Sequence, residues 1–319
     1  MLKVRDFFRL IRWKNLLFAA IVVWLMEKMV AVPLLATRAG LPEQLPWWVF
    51  YLLLLSVVFI AAGGYVINDY FDVKIDIINR PNNLIVTRTF SKQEAMLFHQ
   101  VLTGIGVAAG VAVSIYLKSW SLGLIFILIP GLLWFYSSSY KRQFIIGNII
   151  VALVAALVPM LVAMANSEYI RHYQSNLYYL YTARDIYIWI GTFAVFDFMT
   201  TLIREILKDL QDQTGDRELE CHTLPIRIGD TWTKTILTLL IGVVAGGAAW
   251  IVWRCLPFAH TWGSLSVRYL IFGLFVPLLC ELYLLWSAKL PSDYKFAQGL
   301  MKFIMMLGVL FSIVIKHQL

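Results

Sequence analysis

The stretch GGYVINDYFDVKIDIINRP, residues 63–81, begins in a long apolar run and ends among acids and amides. Asn68, Asp72 and Asp76 follow one another at intervals of four residues. Residues four apart on an α-helix share one face, so these three side chains are predicted to form a single polar stripe. The stretch therefore predicts a membrane-spanning helix with an oxygen-rich stripe at its end.

The composition of the chain is that of a polytopic membrane protein. Of its 319 residues, 60% are hydrophobic and 14% are charged, whereas soluble domains have about 45–50% apolar and about 25% charged residues. In such a chain the net charge of +8 indicates membrane topology, and no nucleic-acid partner is expected. The three cysteines show no paired spacing, so neither a disulfide framework nor a zinc site is predicted.

Nine apolar segments are long enough to span a bilayer, which takes about 20 residues per helix. They are apolar all round and show no alternating pattern, which favours helices over strands. The predicted fold class is therefore all-α, with nine transmembrane helices. The predicted spans are 15–34, 47–67, 94–116, 120–136, 145–165, 186–203, 232–253, 267–287 and 296–315.

The basic residues predict the orientation. Most of the 27 Lys and Arg residues lie in the N-terminal segment and in alternate loops between the predicted spans. The positive-inside rule places those regions and the N-terminus in the cytoplasm, and nine spans place the C-terminus outside. The chain is expected in the inner (cell) membrane, with the acidic stripe facing the cytoplasm. The basic, amphipathic segment before the first span is expected to form an interfacial helix.

A second acidic stretch, REILKDLQDQTGDRE at 204–218, follows the sixth predicted span and contains Asp209, Asp212 and Asp216. The same offset separates Asp72 from Asp212 and Asp76 from Asp216, which suggests an internal duplication. The domain prediction is a single domain over 1–319, with Asp-rich loops at 68–92 and 204–230.

Two carboxylate stripes that face each other repel strongly unless cations lie between them. The first cluster offers only oxygen ligands, which suit Mg²⁺ held by a few carboxylates together with substrate phosphates. For a single acid, an ordinary solvated loop is the usual explanation; the pairing of two clusters beside basic residues favours a polyanion site instead. The basic residues are Arg80, Lys141, Arg142, Arg204 and Lys208.

Three motifs in this order resemble those of the UbiA superfamily of intramembrane prenyltransferases. NDYFDVKID (68–76) with NRP (79–81) is similar to the first Asp-rich motif of that superfamily. KDLQDQTGDRE (208–218) with TLPIRIG (223–229) is similar to the second, and YSSSYKRQFIIGN (136–148) to the segment between spans four and five. The motifs and the nine predicted spans cover essentially the whole chain.

The resemblance implies a nine-helix bundle around a central cavity, capped by cytoplasmic loops. It implies an enzyme in which Mg²⁺ held by both motifs binds a prenyl diphosphate, and an acceptor captures the allylic cation after diphosphate leaves. The implied metal ligands are Asn68, Asp72, Asp76, Asp209, Asp212 and Asp216, of which Asp72, Asp76, Asp212 and Asp216 are the expected catalytic residues. The implied diphosphate- and prenyl-binding residues are Arg80, Lys141, Arg142, Lys208, Tyr136 and Tyr140.

The chain departs from the family pattern at four positions. Relatives often carry a further basic residue, a Pro and a nearby Gly after NRP, where this chain has Asn83, Leu84 and Thr87. A Gly common after the second motif corresponds to Glu220. These changes leave the metal motifs intact and concern the conformation of the adjoining loops and the affinity for diphosphate.

The second motif most resembles the branch that contains the digeranylgeranylglyceryl phosphate synthases. The expected acceptor is therefore a geranylgeranylglyceryl phosphate-like lipid, and the product an ether lipid. An aromatic acceptor of quinone biosynthesis is the alternative. A membrane transporter, which belongs to another class, is disfavoured because its acids would lie within the spans. The sequence does not determine the prenyl chain length.

Other polar features are expected to be structural. His99 and His222 are expected to be structural or loop residues, and Glu27 and Glu281, inside apolar segments, to make structural hydrogen bonds. The tyrosine-rich segment 166–185 is expected to be an external loop or a short interfacial helix.

Overall fold

The computed structural model describes residues 2–39, 45–79, 84–173, 179–255 and 265–316. Its helices are α1 (Leu2–Leu10), α2 (Trp13–Leu25), α3 (Val32–Ala39), α4 (Trp47–Asn79), α5 (Lys92–Tyr116), α6 (Trp120–Ser138), α7 (Ile146–Tyr173), α8 (Tyr179–Glu218), α9 (Leu224–Ile228), α10 (Asp230–Cys255), α11 (Leu265–Tyr269), α12 (Val276–Ser287) and α13 (Pro291–Ile315). A π-helical segment, Met26–Ala31, joins α2 to α3, and another, Leu270–Phe275, joins α11 to α12.

The prediction of an all-α fold with nine spans is confirmed. In the part of the chain that the structure describes, nine helical segments are long and apolar enough to cross a membrane. The first joins α2 and α3 through their π-helical segment, and the eighth joins α11 and α12 in the same way. The chain is therefore an integral membrane protein.

The two acidic motifs lie on helices, so the Asp-rich loops predicted at 68–92 and 204–230 are helical as far as Asn79 and Glu218. The helix α4 continues beyond the predicted span to Asn79, and α8 continues to Glu218. Both continuations keep an apolar face that packs: Val73 is buried on α4, and Leu207 and Leu210 are buried on α8. Burial of that face stabilises the helix beyond the point at which overall hydropathy falls.

The segment 166–185, which was expected to be external, is also helical where it is described. The helix α7 runs to Tyr173 and α8 begins at Tyr179, and residues 174–178 lie outside the described residues. Ile170 is 1% exposed and Tyr169 is 7% exposed. The apolar face of α7 therefore extends into a segment for which a loop or a short interfacial helix was expected.

One compact unit comprises Met1–Lys141 and Val158–Ile190. Within it α4 packs closely along α5, and a Cβ atom at Gly63 would collide with the side chain of Thr103. His99 Nδ1 lies 3.0 Å from the carbonyl oxygen of Gly63, which confirms the structural role expected of His99. Close approach of the two backbones thus fixes α4 one turn before the first motif.

The second compact unit comprises Arg142–Leu157 and Gly191–Leu319. Its core joins α8 with α10, α12 and α13 through the buried residues Leu207, Leu237, Leu285 and Met301. This core holds the half of α8 that carries the second motif. His222, in the short connection after α8, is exposed, as expected of a loop residue.

The two acids inside spans differ in their partners. Asn166 Nδ2 donates a 2.6 Å hydrogen bond to Glu27 Oε2, which confirms the structural hydrogen bond expected of Glu27. Among the described residues neither carboxyl oxygen of the fully buried Glu281 has a hydrogen-bond partner, so the hydrogen bond expected of Glu281 is not seen there. The apolar sequence around an acidic residue therefore does not show whether a hydrogen-bond donor will lie next to its carboxyl group.

Candidate active site

The first motif forms the predicted stripe on the last turns of α4. Asn68 and Asp72 are both buried, and Asn68 Nδ2 donates a 2.7 Å hydrogen bond to Asp72 Oδ2. Asp76 lies one turn further and is partly buried. The bond orients the Asn68 amide and the Asp72 carboxylate together, so the stripe presents oxygen atoms in a fixed arrangement.

Lys141 brings a cation to this stripe, as predicted. It lies in a 3₁₀ turn, Tyr140–Arg142, after α6, and its Nζ donates to Asp72 Oδ2. Burial alone would lower the pKa of Lys141, but Asp72, with smaller contributions from Tyr136 and Asp76, raises the pKa above its ordinary value. Lys141 is therefore charged and neutralises Asp72 in the absence of other cations.

The second motif lies on α8 and uses an amide that the sequence analysis did not identify. Asn148, near the start of α7, donates a 2.7 Å hydrogen bond through Nδ2 to Asp209 Oδ2. Asp216 is buried, while Asp209 and Asp212 are partly buried. Asn148 is the last residue of the segment YSSSYKRQFIIGN, residues 136–148. The position of Asn148, a polar residue at the start of an apolar span, was the sequence feature that could have indicated its role.

Glu205 is a further acid near this motif. Its carboxylate lies 2.6 Å from Arg204 Nη2 and 3.8 Å from Lys208 Nζ. Glu205 is buried and precedes Asp209 by one helical turn, so it shares a face with the motif. Lys208, predicted to bind diphosphate, is thus held beside the motif by an acid on its own helix.

The remaining predicted residues are placed as follows. Tyr136 is buried at the end of α6, and the ring of Tyr140 lies 6.5 Å from that of Phe135. The side chain of Arg142 is exposed, and its carbonyl oxygen accepts a 2.9 Å hydrogen bond from the His222 N–H. Arg80 lies outside the described residues. The assignment of these side chains to a substrate remains a prediction.

The donor atoms of both motifs suit Mg²⁺, which takes one or two carboxylates, waters and substrate phosphates. Within each unit, the described residues form no ready-made group of three or more acidic, His or Cys side chains around a metal position. The metal ligands assigned from the resemblance therefore remain predictions.

Two departures from the family pattern adopt the backbone conformation that glycine favours. Thr87 has a φ of 79° and Glu220 a φ of 53°. Thr87 lies in a turn in which its N–H donates a 2.7 Å hydrogen bond to Phe90 O, and the Glu220 N–H donates a 3.3 Å bond to Arg217 O. Both turns thus form without a glycine at these positions. Leu84 is partly buried, and Asn83 lies outside the described residues.

Replacing either residue by glycine is expected to stabilise the protein. A left-handed conformation costs a residue other than glycine about 1–2 kcal/mol, and glycine would relieve this strain. The greater freedom of glycine in the unfolded chain would offset about 0.4–1 kcal/mol of the resulting stabilisation. Thr87→Gly and Glu220→Gly should each raise the thermal unfolding temperature in detergent. Thr87→Gly should have the larger effect because Thr is β-branched.

Gln143→Gly is the matched control, because Gln143 is an exposed loop residue without a positive φ. It should leave the unfolding temperature unchanged or lower it. If all three variants lower the unfolding temperature equally, the two positive φ values carry no strain.

Comparison with known proteins identifies relatives over most of the chain. The model of the UbiA prenyltransferase family matches residues 29–307. A digeranylgeranylglyceryl phosphate synthase of Sulfurisphaera tokodaii is 30% identical over 305 residues, which cover 94% of each chain.

Solved structures share the fold. A structure described as digeranylgeranylglyceryl phosphate synthase in membranes aligns with a TM-score of 0.65 at 22% identity and covers 100% of both chains. A UbiA homolog from Archaeoglobus fulgidus, bound to GPP and Mg²⁺, aligns with a TM-score of 0.56 at 16% identity. This second alignment covers 97% of the present chain and 99% of the homolog.

Proposed function

Because the chain belongs to the UbiA prenyltransferase family, we propose that it transfers a polyprenyl group from a prenyl diphosphate to a geranylgeranylglyceryl phosphate-like lipid. Prenyl transfer follows from the family itself. The assignment of the acceptor rests on the match to a digeranylgeranylglyceryl phosphate synthase, which covers 94% of both chains. The product would be an ether-linked lipid.

In the proposed reaction the allylic C–O bond of the prenyl diphosphate breaks, and diphosphate leaves with the electron pair. The hydroxyl oxygen of the acceptor then bonds to the allylic carbon and loses its proton. Negative charge accumulates on the leaving diphosphate, and preorganised cations stabilise it more strongly in a water-poor site than in water. Lys141, charged and partly buried beside Asp72, is the residue that we assign to this role.

Mg²⁺ is the proposed cofactor, and its chemistry would be to neutralise the diphosphate. The residues that would hold it are Asn68, Asp72, Asp76, Asp209, Asp212 and Asp216. A UbiA homolog from Archaeoglobus fulgidus was solved with GPP and Mg²⁺, which supports Mg²⁺ as the proposed cofactor. Arg80, Arg142 and Lys208 are proposed to contact the diphosphate.

The apolar partners follow from the same chemistry. The prenyl chain needs hydrocarbon surroundings, which membrane-spanning helices and lipid supply. The buried ring of Tyr136, with Tyr140, is proposed to lie near the allylic cation, because aromatic faces attract cations.

The distribution of Lys and Arg supports a cytoplasmic N-terminus and a site on the cytoplasmic side of the inner membrane.

The test is a product screen with the purified protein. Labelled prenyl diphosphates of several lengths are incubated with a prenylated glycerol phosphate, a hydroxybenzoate and a naphthoate, and the products are identified by mass. We expect an ether-linked product from the glycerol lipid alone. The same screen with Asp72→Asn controls for uncatalysed alkylation. C-prenylation of an aromatic acid without turnover of the glycerol lipid would replace the acceptor assignment with the aromatic alternative.

A further inference from the structure

Arg12 lies at a sharp elbow between α1 and α2, before the first span. Its backbone is left-handed, with φ 53° and ψ 53°, a conformation that residues other than glycine seldom adopt. Such backbone strain persists only where the surroundings fix it, and it occurs preferentially at functional sites. The contacts of the Arg12 side chain show what the elbow positions.

The guanidinium of Arg12 binds one face of α4, beside the first motif. Arg12 Nη2 lies 2.8 Å from Asp69 Oδ1, and the guanidinium carbon lies 4.9 Å from the centroid of the Tyr65 ring. Tyr65 and Asp69 are one helical turn apart, so Arg12 spans both. The Asp69 side chain is 18% exposed, which leaves this ion pair partly shielded from water.

Contacts on the N-terminal side of the elbow hold α1 in place. On the N-terminal side, Leu10 is fully buried in a cluster with Val73 and Phe90. Thr89 Oγ1 donates a 2.8 Å hydrogen bond to Asp6 Oδ2, which ties α1 to the turn after the first motif. The position of the Arg12 guanidinium is therefore set by the fold.

Asp69 lies at the flank of the proposed metal stripe. It follows Asn68 directly and precedes Asp72 by three residues, a spacing that makes side chains neighbours on a helix. Without a counter-ion, the Asp69 carboxylate would add a further negative charge beside Asp72.

We infer that Arg12 is a positioning residue, which holds the Asp69 carboxylate at the α1–α2 elbow and so keeps Asn68 and Asp72 directed at the diphosphate. The inference rests on the proposed function, because it assumes that this stripe binds a metal diphosphate. It assigns a part in substrate binding to a side chain that precedes the first span and lies outside both motifs.

The test compares Arg12→Gln, Asp69→Asn and the double variant in the full-length protein. The first readout is the affinity for inorganic pyrophosphate with Mg²⁺, measured by calorimetry, which needs no acceptor. Arg12→Gln should weaken this binding by about tenfold and lower kcat by about 10–100-fold, since small misplacements of reacting groups cost that much. Asp69→Asn in the Arg12→Gln background should restore most of both losses, because the unpaired charge is gone.

Arg5→Gln is the matched control, because it removes the same charge from α1 at a side chain that is 67% exposed. It should leave both readouts unchanged. Arg12→Lys, which keeps the charge, should retain more affinity than Arg12→Gln and serves if the latter fails to fold. Unfolding temperatures are recorded for every variant.

The inference is overturned if Arg12→Gln binds pyrophosphate as the wild type does. It is also overturned if the double variant is no better than Arg12→Gln and the losses follow the unfolding temperatures, since the ion pair would then be merely structural. If the wild type itself binds no pyrophosphate with Mg²⁺, the proposed function fails instead. The two failures are therefore distinguishable.

Discussion

Excess EDTA is expected to abolish prenyl transfer by the purified protein, and added Mg²⁺ to restore it. Both the motifs and the diphosphate are negatively charged, and Asp72 is already paired with Lys141. The four basic residues proposed for the site cannot balance the five carboxylates of the two motifs together with a polyanion, so divalent cations are expected to supply the remaining positive charge. Release of diphosphate and the mass of the product are the measurements.

The unfolding temperature in EDTA provides the control, because a loss of activity has meaning only if the protein stays folded. A titration with Mg²⁺ should then return activity to the starting level. Ca²⁺ is a useful comparison, since it prefers longer bonds and more oxygen ligands than Mg²⁺. Full turnover in excess chelator would exclude the metal-dependent mechanism.

Asp72→Asn and Asp212→Asn are each expected to lower kcat by about 10²–10³-fold, which is typical for the loss of one electrostatic contact in a preorganised site. The change conserves shape and removes one charge, so folding and expression should be retained. The double variant should be little worse than either single variant, because residues that act as a unit are not additive. Single-turnover rates with a labelled prenyl diphosphate provide the measurement.

Glu218→Gln is the control for this pair, because Glu218 is exposed at the end of the same helix as Asp212. It should keep the wild-type rate. Losses that multiply in the double variant would mean that the two motifs act in separate steps. A wild-type rate in either single variant would show that the motif carrying that residue has no part in catalysis.

Features that depend on local periodicity could be predicted from the residues alone. Runs of apolar residues gave the nine spans, because a bilayer imposes a minimum length on each helix. The spacing of Asn68, Asp72 and Asp76 gave the stripe, because residues four apart share a helical face. The motif resemblance indicated the family over most of the chain, and the match to residues 29–307 confirmed it.

The partners of the motif residues depend on how the helices pack in three dimensions. Lys141 is 69 residues from Asp72, Asn148 is 61 residues from Asp209, and Arg12 is 57 residues from Asp69. No local spacing rule predicts such pairs, because they depend on how helices pack. Packing also extended α4 and α8 through the motifs, since a helix continues for as long as one face is buried. The same dependence explains why Glu27 meets an amide while Glu281, in an equally apolar segment, meets no hydrogen-bond partner among the described residues.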